Sequence, residues 1–550
     1  MSMPGLVPMI RNVGRFREIV NTLMKYGLAD WLKSVPGDWV KQYLSTVDGE
    51  KIADLSYPVR VRLALTELGT TFIKLGQILS TRQDLVGPDF CEELTKLQSQ
   101  APADDYETVC RIIEEELGEP PDQLFGRFER EPLGSASIGQ VHRAILVDGS
   151  EVVVKVRHEG IEQRIQHDLE IMDILAQLAE KHSSLLRHYR PVETAADFRR
   201  ILLDELNYSS ELRNMIRFRG NFEEREEVRF PKPYKEYSTA RVLTMEEFRG
   251  TSVADAQSVA DQYDLTEIAR QGANVYLDMV YRDGFFHADP HPGNLMILPD
   301  GTIGILDCGM VGKIDEELRD QVEDMLMAIV EKDGRWLTSI VVDLGQVPTD
   351  LDRDLLQRDI VDFVEEYVGL ELDDFDLTGA LEDLMRIIRM HHILLPPRVS
   401  LMVKVMVMLE GTGRLLQTDF SLLALIAPYR YEILRRRLSP YRLWRNSKRA
   451  YREWSQLFEI LPRDTRELLR SMKRGKFEVH LDHRRLDKIV NRMAWGILTA
   501  ALFVGSSQIL SMKVLPTLWG VSVPGFLGCS YSLYLAWRLF RAIRKSGDLG

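Results

Sequence analysis

The sequence predicts a helix-rich α+β fold with an apolar helical hairpin in its C-terminal part. Three observations predict it. Two polar motifs flank a short β-hairpin in the middle of the chain, and a small-residue loop leads into two strands upstream of them. Two long uncharged stretches follow a basic segment near the C-terminal end. Helical runs separate these features, so helices outweigh strands.

The central motif is His287-Ala-Asp-Pro-His-Pro-Gly-Asn294, followed by Asp307 in an Asp-x-Gly turn. A carboxylate five residues before an amide, then a second carboxylate in such a turn, is typical of a protein-kinase-like fold that handles metal-bound ATP. In this interpretation Asp289 acts as the base or positions a water, while Asn294 and Asp307 hold Mg²⁺. The motif predicts a phosphoryl-transfer enzyme with ATP and Mg²⁺ as cofactors.

The residues between the two metal ligands predict a β-hairpin. Two apolar runs, Asn294 to Leu298 and Thr302 to Leu306, are joined by Pro299-Asp-Gly301. One alternative is that the His and Asp residues before the hairpin are ordinary turn residues. Another is a zinc site at His287, Asp289 and His291, although no Cys or His cluster elsewhere in the sequence completes a tetrahedral set.

The upstream half of the nucleotide site is predicted from a small-residue loop and the strand that follows it. Backbone amides of this loop are expected to cradle phosphate, although the Cβ of Ala136 limits how closely the loop approaches. After a turn at Asp148-Gly149, the strand Glu151 to Val156 carries Lys155, which we expect to bind the α- and β-phosphates. The predicted loop residues are Gly134, Ser135, Ala136, Ser137, Ile138 and Gly139.

A lysine in this role needs a carboxylate partner on a helix, and the sequence offers two candidates. Spacing favours Glu170 in the helical run Ile161 to His182. The other is Glu211, in a predicted helix from Asp204 to Asn214 that also carries Glu205 on nearly the same side. The pattern alone leaves both open.

Length and composition predict two or three structural units, mostly globular, because 550 residues exceed one compact core and 45% are hydrophobic against 28% charged. Four scattered cysteines form no CxxC pair, which indicates a reducing, cytosolic setting. Arginines interrupt the N-terminal apolar residues, so we expect an amphipathic helix from Val13 to Leu32 and no signal peptide.

The C-terminal part predicts membrane attachment. Residues 430–492 hold 19 Lys and Arg against 8 Asp and Glu, with aromatic residues interleaved, which favours an anionic lipid surface over nucleic acid. The stretches Met493 to Met512 and Val514 to Trp537 carry no charge and are each long enough to cross a ~30 Å hydrocarbon core. Basic flanks place both ends in the cytoplasm. A buried soluble helix pair and peripheral attachment are the alternatives.

Four ordered motifs resemble the UbiB family of atypical kinases, relatives of the mitochondrial coenzyme Q kinases. They are the stretch Thr71 to Val86, which is predicted as one helix, the loop Ser135 to Ala144, Glu205-Leu-Asn-Tyr208 and the His287 to Asn294 motif. The resemblance covers about residues 15 to 430 and the C-terminal hairpin. It implies a protein-kinase-like bilobal fold in which an N-terminal extension covers the active site.

The resemblance also implies roles for further residues. Lys74 and Gln77 would enter the cleft and block protein substrates, with Lys74 paired to Glu205. Lys155 would pair with Glu211, which favours Glu211 over Glu170. The chain departs from the family at Asn207, where an aspartate is usual, and its alanine-rich loop is only partly alanine, so nucleotide preference is open.

The family resemblance further implies a membrane-bound kinase or ATPase that supports isoprenoid-quinone biosynthesis, with a small or lipid acceptor. Its expected partners are ATP, anionic lipid, quinone precursors and quinone-biosynthesis enzymes, with a homodimer left open and no nucleic acid. The expected location is the inner membrane, with the kinase domain facing the cytoplasm. A nucleotide-binding scaffold without turnover is the alternative. A quinone-ring hydroxylase is disfavoured, because the sequence shows neither a dinucleotide fingerprint nor an iron triad.

These expectations divide the chain into five parts. They are a helical extension over 1–115, an N-lobe over 116–250, a C-lobe over 251–430, basic juxtamembrane helices over 431–492 and a transmembrane hairpin over 493–538.

Overall fold

The computed structural model describes residues 13–28, 55–97, 102–187, 189–348, 350–367, 377–416, 425, 486–512, 514–518 and 521–545. The chain divides into two compact units, Met1–Ser439 and Pro440–Gly550. The basic segment predicted to lie beside a membrane falls, up to residue 485, outside the described residues.

The N-terminal extension consists of short helices around a small apolar cluster. The helices are α1 (Val13–Lys25), α2 (Tyr57–Leu68), α3 (Thr70–Leu79), α4 (Gln83–Val86) and α5 (Pro88–Thr95). Phe16, Ile19, Leu68 and Leu94 form the centre of the cluster, and each such buried side chain stabilises the fold by about 1.5–3 kcal/mol.

Two helix boundaries in the extension differ from the prediction. Helix α1 ends at Lys25 instead of continuing toward Leu32, because Gly27 adopts a left-handed φ of 67° and its amide closes the helix on Met24. The stretch from Thr71 to Val86, predicted as one helix, is interrupted after Leu79, and α4 begins again at Gln83.

The N-lobe is an antiparallel sheet packed against helices. Its elements are α6 (Tyr106–Leu117), α7 (Pro121–Leu124), β1 (Phe125–Phe128), β2 (Gly134–Ser135), β3 (Gly139–Leu146), β4 (Glu151–Arg157), α8 (Ile161–His182), α9 (Ser184–Arg187), α10 (Pro191–Glu205), α11 (Tyr208–Asn221), β5 (Val228–Arg229) and β6 (Val242–Glu246). The sheet order is β1-β3-β4-β6, with β2 paired to β3. Strand β5 joins the C-lobe sheet instead.

Alternation along β4 decides where its lysine points. Val152, Val154 and Val156 pack with α6 on one face of the sheet. The side chains between them, Val153 and Lys155, face the opposite side, toward the interlobe cleft. The predicted turn at Asp148-Gly149 is confirmed: Gly149 has a φ of 87°, and the Asp148 carboxylate accepts from the Ser150 amide.

The helix predicted from Asp204 to Asn214 is in fact two helices. Helix α10 ends at Glu205, and α11 begins at Tyr208 after Asn207, whose extended backbone and side-chain oxygen cap α11 at the Ser209 amide. Glu205 and Glu211 therefore project from different helices, and the polar cap is the reason that the chain breaks there.

The C-lobe is mainly helical around short strands. Its elements are β7 (Thr251–Ser252), α12 (Leu265–Leu277), β8 (Phe285–His287), β9 (Leu295–Ile297), β10 (Ile303–Ile305), β11 (Val311–Lys313), α13 (Glu316–Val330), α14 (Gly334–Leu344), α15 (Arg353–Tyr367), α16 (Leu377–Met390) and α17 (Pro397–Leu415). The predicted hairpin is confirmed by the pairing of Ile303 with Ile297, and Gly301 makes the turn with a φ of 85°. Strands β8 and β11 form a second ribbon.

The second unit is a pair of antiparallel helices, α18 (Leu486–Ser511) and α19 (Val523–Lys545), with strands β12 (Thr517–Leu518) and β13 (Val521–Ser522) between them. Of the described residues, one helical window, Ala494–Ser511, is long and apolar enough to cross a membrane, and it is mostly exposed. In the second predicted span, from Val514 to Trp537, helix α19 begins at Val523, and strands β12 and β13 precede it.

Candidate active site

A cavity of about 530 Å³ lies between the extension, the N-lobe sheet and the β8–β9 segment of the C-lobe. It brings together most of the residues that the sequence predicted for the site. Those lining it are Lys74, Ala136, Ser137, Ile138, Gly139, Lys155, Glu205, Glu211, Asp289, Asn294 and Asp307. Gly134 and Ser135 form strand β2 beside it, and Gln77 donates its side-chain amide to the Leu97 carbonyl.

Lys155 sits between two carboxylates. Its Nζ lies 2.6 Å from Glu211 Oε1 and 3.7 Å from Asp307 Oδ2. Burial by itself would lower the pKa of Lys155, but the Asp307 and Glu211 carboxylates more than offset that effect and raise it. Lys155 is therefore a fixed cation that links the N-lobe to the C-lobe, and Glu211 rather than Glu170 is the carboxylate beside it.

The Asp307 side chain is held in place by a backbone amide of the Asp-x-Gly turn. Its Oδ1 accepts from the Gly309 amide at 2.7 Å, and a Cβ on Gly309 would lie only 3.0 Å from that oxygen. Lys155 lowers the pKa of Asp307, and the Gly309 amide and Lys74 act in the same direction. The carboxylate is thus ionised at neutral pH, as a hard cation requires.

The Asp289 carboxylate is fixed from two sides. Its Oδ2 accepts from Asn294 Nδ2 at 3.0 Å, and the same amide group donates to the Asp289 carbonyl at 3.1 Å. Lys404 Nζ on α17 donates to Asp289 Oδ1 at 3.2 Å. The spacing of Asp289 and Asn294 around a short 3₁₀ turn at Pro292–Asn294 is what closes this contact.

His287 lines the cavity, but both of its ring nitrogens are engaged by other groups of the protein. It is 1% exposed, its Nε2 donates to the Asp307 carbonyl, and its Nδ1 accepts from the Tyr276 hydroxyl at 3.1 Å. Burial lowers the pKa of His287, which favours the neutral ring. Both ring nitrogens are engaged, so the zinc alternative at His287, Asp289 and His291 lacks its first ligand.

The small-residue loop is a tight turn tied to the strand after it. The Ala136 amide donates to the Gly139 carbonyl at 2.9 Å. A Cβ on Gly139 would lie 2.4 Å from the Tyr208 hydroxyl and 2.5 Å from the Val156 carbonyl, so this glycine is required by close packing. Around Gly134 the space is open.

His158 clamps this loop. Its Nε2 lies 3.0 Å from the Ala136 carbonyl, and its Nδ1 lies 3.0 Å from Asp104 Oδ2. The Asp104 carboxylate also accepts from the Glu159 amide at 3.1 Å. The loop's position is therefore set by a side chain that follows β4, so loop and Lys155 are fixed relative to one another.

The extension enters the cavity through Lys74, whose Nζ forms a short ion pair with Glu205 Oε1. Burial would lower the pKa of Lys74, but Glu205, Asp307 and Asp289 raise it. The Lys74 ammonium therefore lies at the acidic end of the cavity, together with Asp289 and Asp307. Asn207 lines the same cavity and caps α11.

The sequence reasoning missed Lys404 and His158. Lys404 lies 115 residues from Asp289 and belongs to no motif. Its one signal is that it is the only charge between Arg398 and Glu410 in an otherwise apolar run. His158 follows the lysine strand directly, but nothing in its spacing connects it to the loop.

The donor set suits a magnesium nucleotide. Among the described residues no group of three or more His, Cys, Asp or Glu side chains could hold a metal ion by itself. Mg²⁺ usually takes only one or two protein carboxylates and completes its shell with waters and substrate phosphates. Asp307 and Asn294 could serve as such ligands, with Lys155 as the neighbouring phosphate contact.

The bilobal fold, the Lys155–Glu211 pair, the Lys155–Asp307 contact that joins the lobes, and the grouping of Asp289, Asn294 and Asp307 define an atypical protein-kinase-like domain. The ABC1 atypical kinase-like domain matches residues 96–341, the UbiB helical domain residues 360–421 and the ABC1/UbiB kinase-like C-terminal domain residues 480–545. The chain belongs to the ABC1/UbiB family of atypical kinase-like proteins, as the sequence motifs predicted.

Relatives span most of the chain. A probable protein kinase UbiB from Pseudomonas aeruginosa (strain LESB58) is 35% identical over 468 residues, covering 83% of this chain and 88% of the relative. A protein of Clostridium pasteurianum, encoded in the hydrogenase 1 5′ region, is 29% identical over 551 residues, which cover 98% of this chain and 100% of the relative. The solved Rv3197–erythromycin complex of Mycobacterium tuberculosis is 26% identical, covering 68% of this chain and 95% of that one, with a TM-score of 0.46.

Proposed function

We propose that this protein is a membrane-associated atypical kinase or ATPase that binds Mg-ATP and supports isoprenoid-quinone biosynthesis of the ubiquinone type. One observation carries the proposal. The Lys155 ammonium lies 2.6 Å from Glu211 and 3.7 Å from Asp307, in a cavity that Asp289 and Asn294 also line. A site that no longer catalysed phosphoryl transfer would be expected to lack at least one of the residues Lys155, Asp289, Asn294 and Asp307.

Each group has a role that its contacts suit. Lys155 binds the α- and β-phosphates, and Glu211 holds it in place. Asp307 and Asn294 hold Mg²⁺, which when bound neutralises phosphate charge. Asp289 orients the attacking hydroxyl or water and accepts its proton. Catalysis is then mostly electrostatic positioning, which matches the loose transition state of phosphoryl transfer.

The acceptor in this proposal is a small molecule, a lipid or water rather than a protein. Helix α3 lines the cavity with Lys74, Leu75 and Ile78, so the extension stands where a protein substrate would otherwise approach. Gln77, expected to enter the cleft as well, contacts Leu97 within the extension. Its role as a second blocking residue remains a prediction.

The membrane and quinone parts rest on the second unit and on the family. The helical pair exposes large apolar side chains such as Trp495, Leu502, Phe526 and Trp537, which an aqueous surface rarely shows in such density. Relatives that cover 83% of this chain are named probable protein kinase UbiB. The proposed location is the inner membrane, with the kinase-like unit on the cytoplasmic side, near membrane-borne quinone precursors.

One observation favours a second candidate, a nucleotide-binding scaffold without turnover. The Lys74 ammonium is stabilised by Glu205, Asp307 and Asp289, and so competes with a metal ion for the acidic end of the cavity. If Lys74 stays there, ATP would bind without reaction. The two candidates differ in turnover and not in affinity.

The test is Mg²⁺-dependent ATP hydrolysis by the full chain in liposomes containing anionic lipid, with and without a phenolic quinone precursor. Asp307→Asn is the matched variant, because it removes one charge and keeps the shape. We expect turnover that needs Asp307 and rises with lipid or precursor. Equal hydrolysis by Asp307→Asn would overturn the assignment, and ATP binding without turnover would favour the scaffold.

A further inference from the structure

The predicted base, Asp289, has a cationic partner that the surrounding segment does not supply. Between Asp289 and Asn294 the chain has Pro290, His291, Pro292 and Gly293, without lysine or arginine. The cation comes instead from α17, where Lys404 Nζ lies 3.2 Å from Asp289 Oδ1. The partner is therefore brought in by tertiary structure.

Lys404 is the only charged residue in the stretch of α17 between Arg398 and Glu410. Its neighbours along the helix, Val403 and Val405, are buried, and its own side chain is only 18% exposed. A cation held this far from water is costly unless a carboxylate offsets the lost hydration. Among the described residues, the carboxylate in ion-pair distance of Lys404 is Asp289.

A buried polar junction fixes the helix that presents Lys404. One turn earlier, the Ser400 hydroxyl donates to Asp84 Oδ1 at 3.0 Å. Asp84 is 2% exposed, pairs with Arg82 at 2.7 Å and accepts from the Leu395 amide at 3.3 Å. Because Asp84 belongs to α4, the extension sets the position of α17 and so of the Lys404 ammonium.

We propose that Lys404 is a positioning residue of the catalytic site, which holds the Asp289 carboxylate turned toward the acceptor. This inference rests on the proposed function. In the transfer step the bond from the γ-phosphorus to the β–γ bridging oxygen breaks, and ADP leaves. A bond forms from the acceptor oxygen to the γ-phosphorus, and the acceptor proton passes to Asp289. Lys404 acts on this step only through the orientation of that carboxylate.

The test compares Lys404→Ala and Lys404→Arg with the unaltered full chain in anionic liposomes. Each protein is assayed for kcat of ATP hydrolysis and, by equilibrium binding, for the Kd of Mg-ATP. A correctly placed base contributes about 10²–10⁴-fold, so we expect kcat of Lys404→Ala to fall by about 10²-fold, with Kd within about twofold. Lys404→Arg, which keeps the charge, should recover most of the rate, and added ethylammonium should partly restore Lys404→Ala.

Arg398→Ala is the control, because Arg398 lies on the same helix and pairs with Asp315 at the surface, away from the cavity. Its kcat should match that of the unaltered chain. Unchanged kcat in Lys404→Ala, or a loss that neither arginine nor ethylammonium restores, would overturn the inference while leaving the proposed function intact. Absence of hydrolysis by the unaltered chain would overturn the proposed function, and the inference with it.

Discussion

Lys155 Nζ lies 2.6 Å from Glu211 Oε1, and the two residues are 56 positions apart in the chain. The pair joins strand β4 to helix α11 and leaves Asp307 as the lysine's second carboxylate. The Lys155 side chain is 15% exposed and the Glu211 side chain 8%. If one charge were removed, little water could reach the other charge and solvate it. The pair therefore holds strand β4 and helix α11 together through a contact that is largely shielded from water.

Glu211→Gln should weaken both the fold and ATP binding. Breaking a buried pair by removing one charge costs about 3–5 kcal/mol of stability, and the freed lysine is drawn toward Asp307. Thermal unfolding and equilibrium ATP binding measure the two effects. Glu170→Gln is the control, since it removes the other carboxylate that spacing allowed. Equal loss of ATP affinity in both variants would contradict the structural pairing.

His158→Ala should weaken ATP binding by about tenfold. The substitution removes the hydrogen bond to the Ala136 carbonyl and leaves Asp104 without its ring partner, and each lost bond is worth about 1 kcal/mol. The measurement is the Kd of Mg-ATP. His167→Ala is the matched control, because His167 is exposed on α8. If the control weakens ATP binding as much, the clamp plays no part.

Lys74→Met should lower the Mg²⁺ concentration needed for half-maximal ATP binding, by at least about threefold. The reason is that the Lys74 ammonium competes with the metal for the field of Asp307 and Asp289. A magnesium titration at fixed ATP measures the shift. Lys96→Met removes an exposed lysine that pairs with Glu93 and should leave the titration unchanged. A requirement for more Mg²⁺ in Lys74→Met would show that Lys74 assists the metal.

Gly525→Val should disrupt the C-terminal helical pair. A Cβ at Gly525 would lie 2.5 Å from the backbone nitrogen of Leu510, so α19 could pack on α18 only after a shift of backbone. Gly505→Val adds the same side chain on α18, where a Cβ meets nothing within 4 Å. Thermal unfolding of the detergent-solubilised chain, followed by circular dichroism, compares them. Equal melting of the two variants would argue against close helix packing.

The site residues were predictable where a motif is local. The Asp289 to Asn294 spacing, the hairpin after it and the Asp307 turn depend on neighbours in the chain, so the sequence was enough to propose them together. Spacing favoured Glu170 over Glu211, and the structure pairs Lys155 with Glu211 because the choice depends on where α11 packs against β4. The prediction of one continuous helix from Asp204 to Asn214 was wrong for a related reason, since the cap at Asn207 separates two helices there.

The sequence by itself determined the family, the order of the motifs and the two strands that carry the loop and the lysine, because these follow from local pattern and turn chemistry. The residue pattern did not decide the partners of the charges: the family resemblance implied the pairs Lys155–Glu211 and Lys74–Glu205, and the tertiary structure alone brought Lys404 to Asp289. Lys155 meets Glu211, Lys74 meets Glu205 and Lys404 meets Asp289 across gaps of 56, 131 and 115 residues. Ion pairs between distant segments depend on how helices pack and which charges lose water, and no spacing along a chain records that.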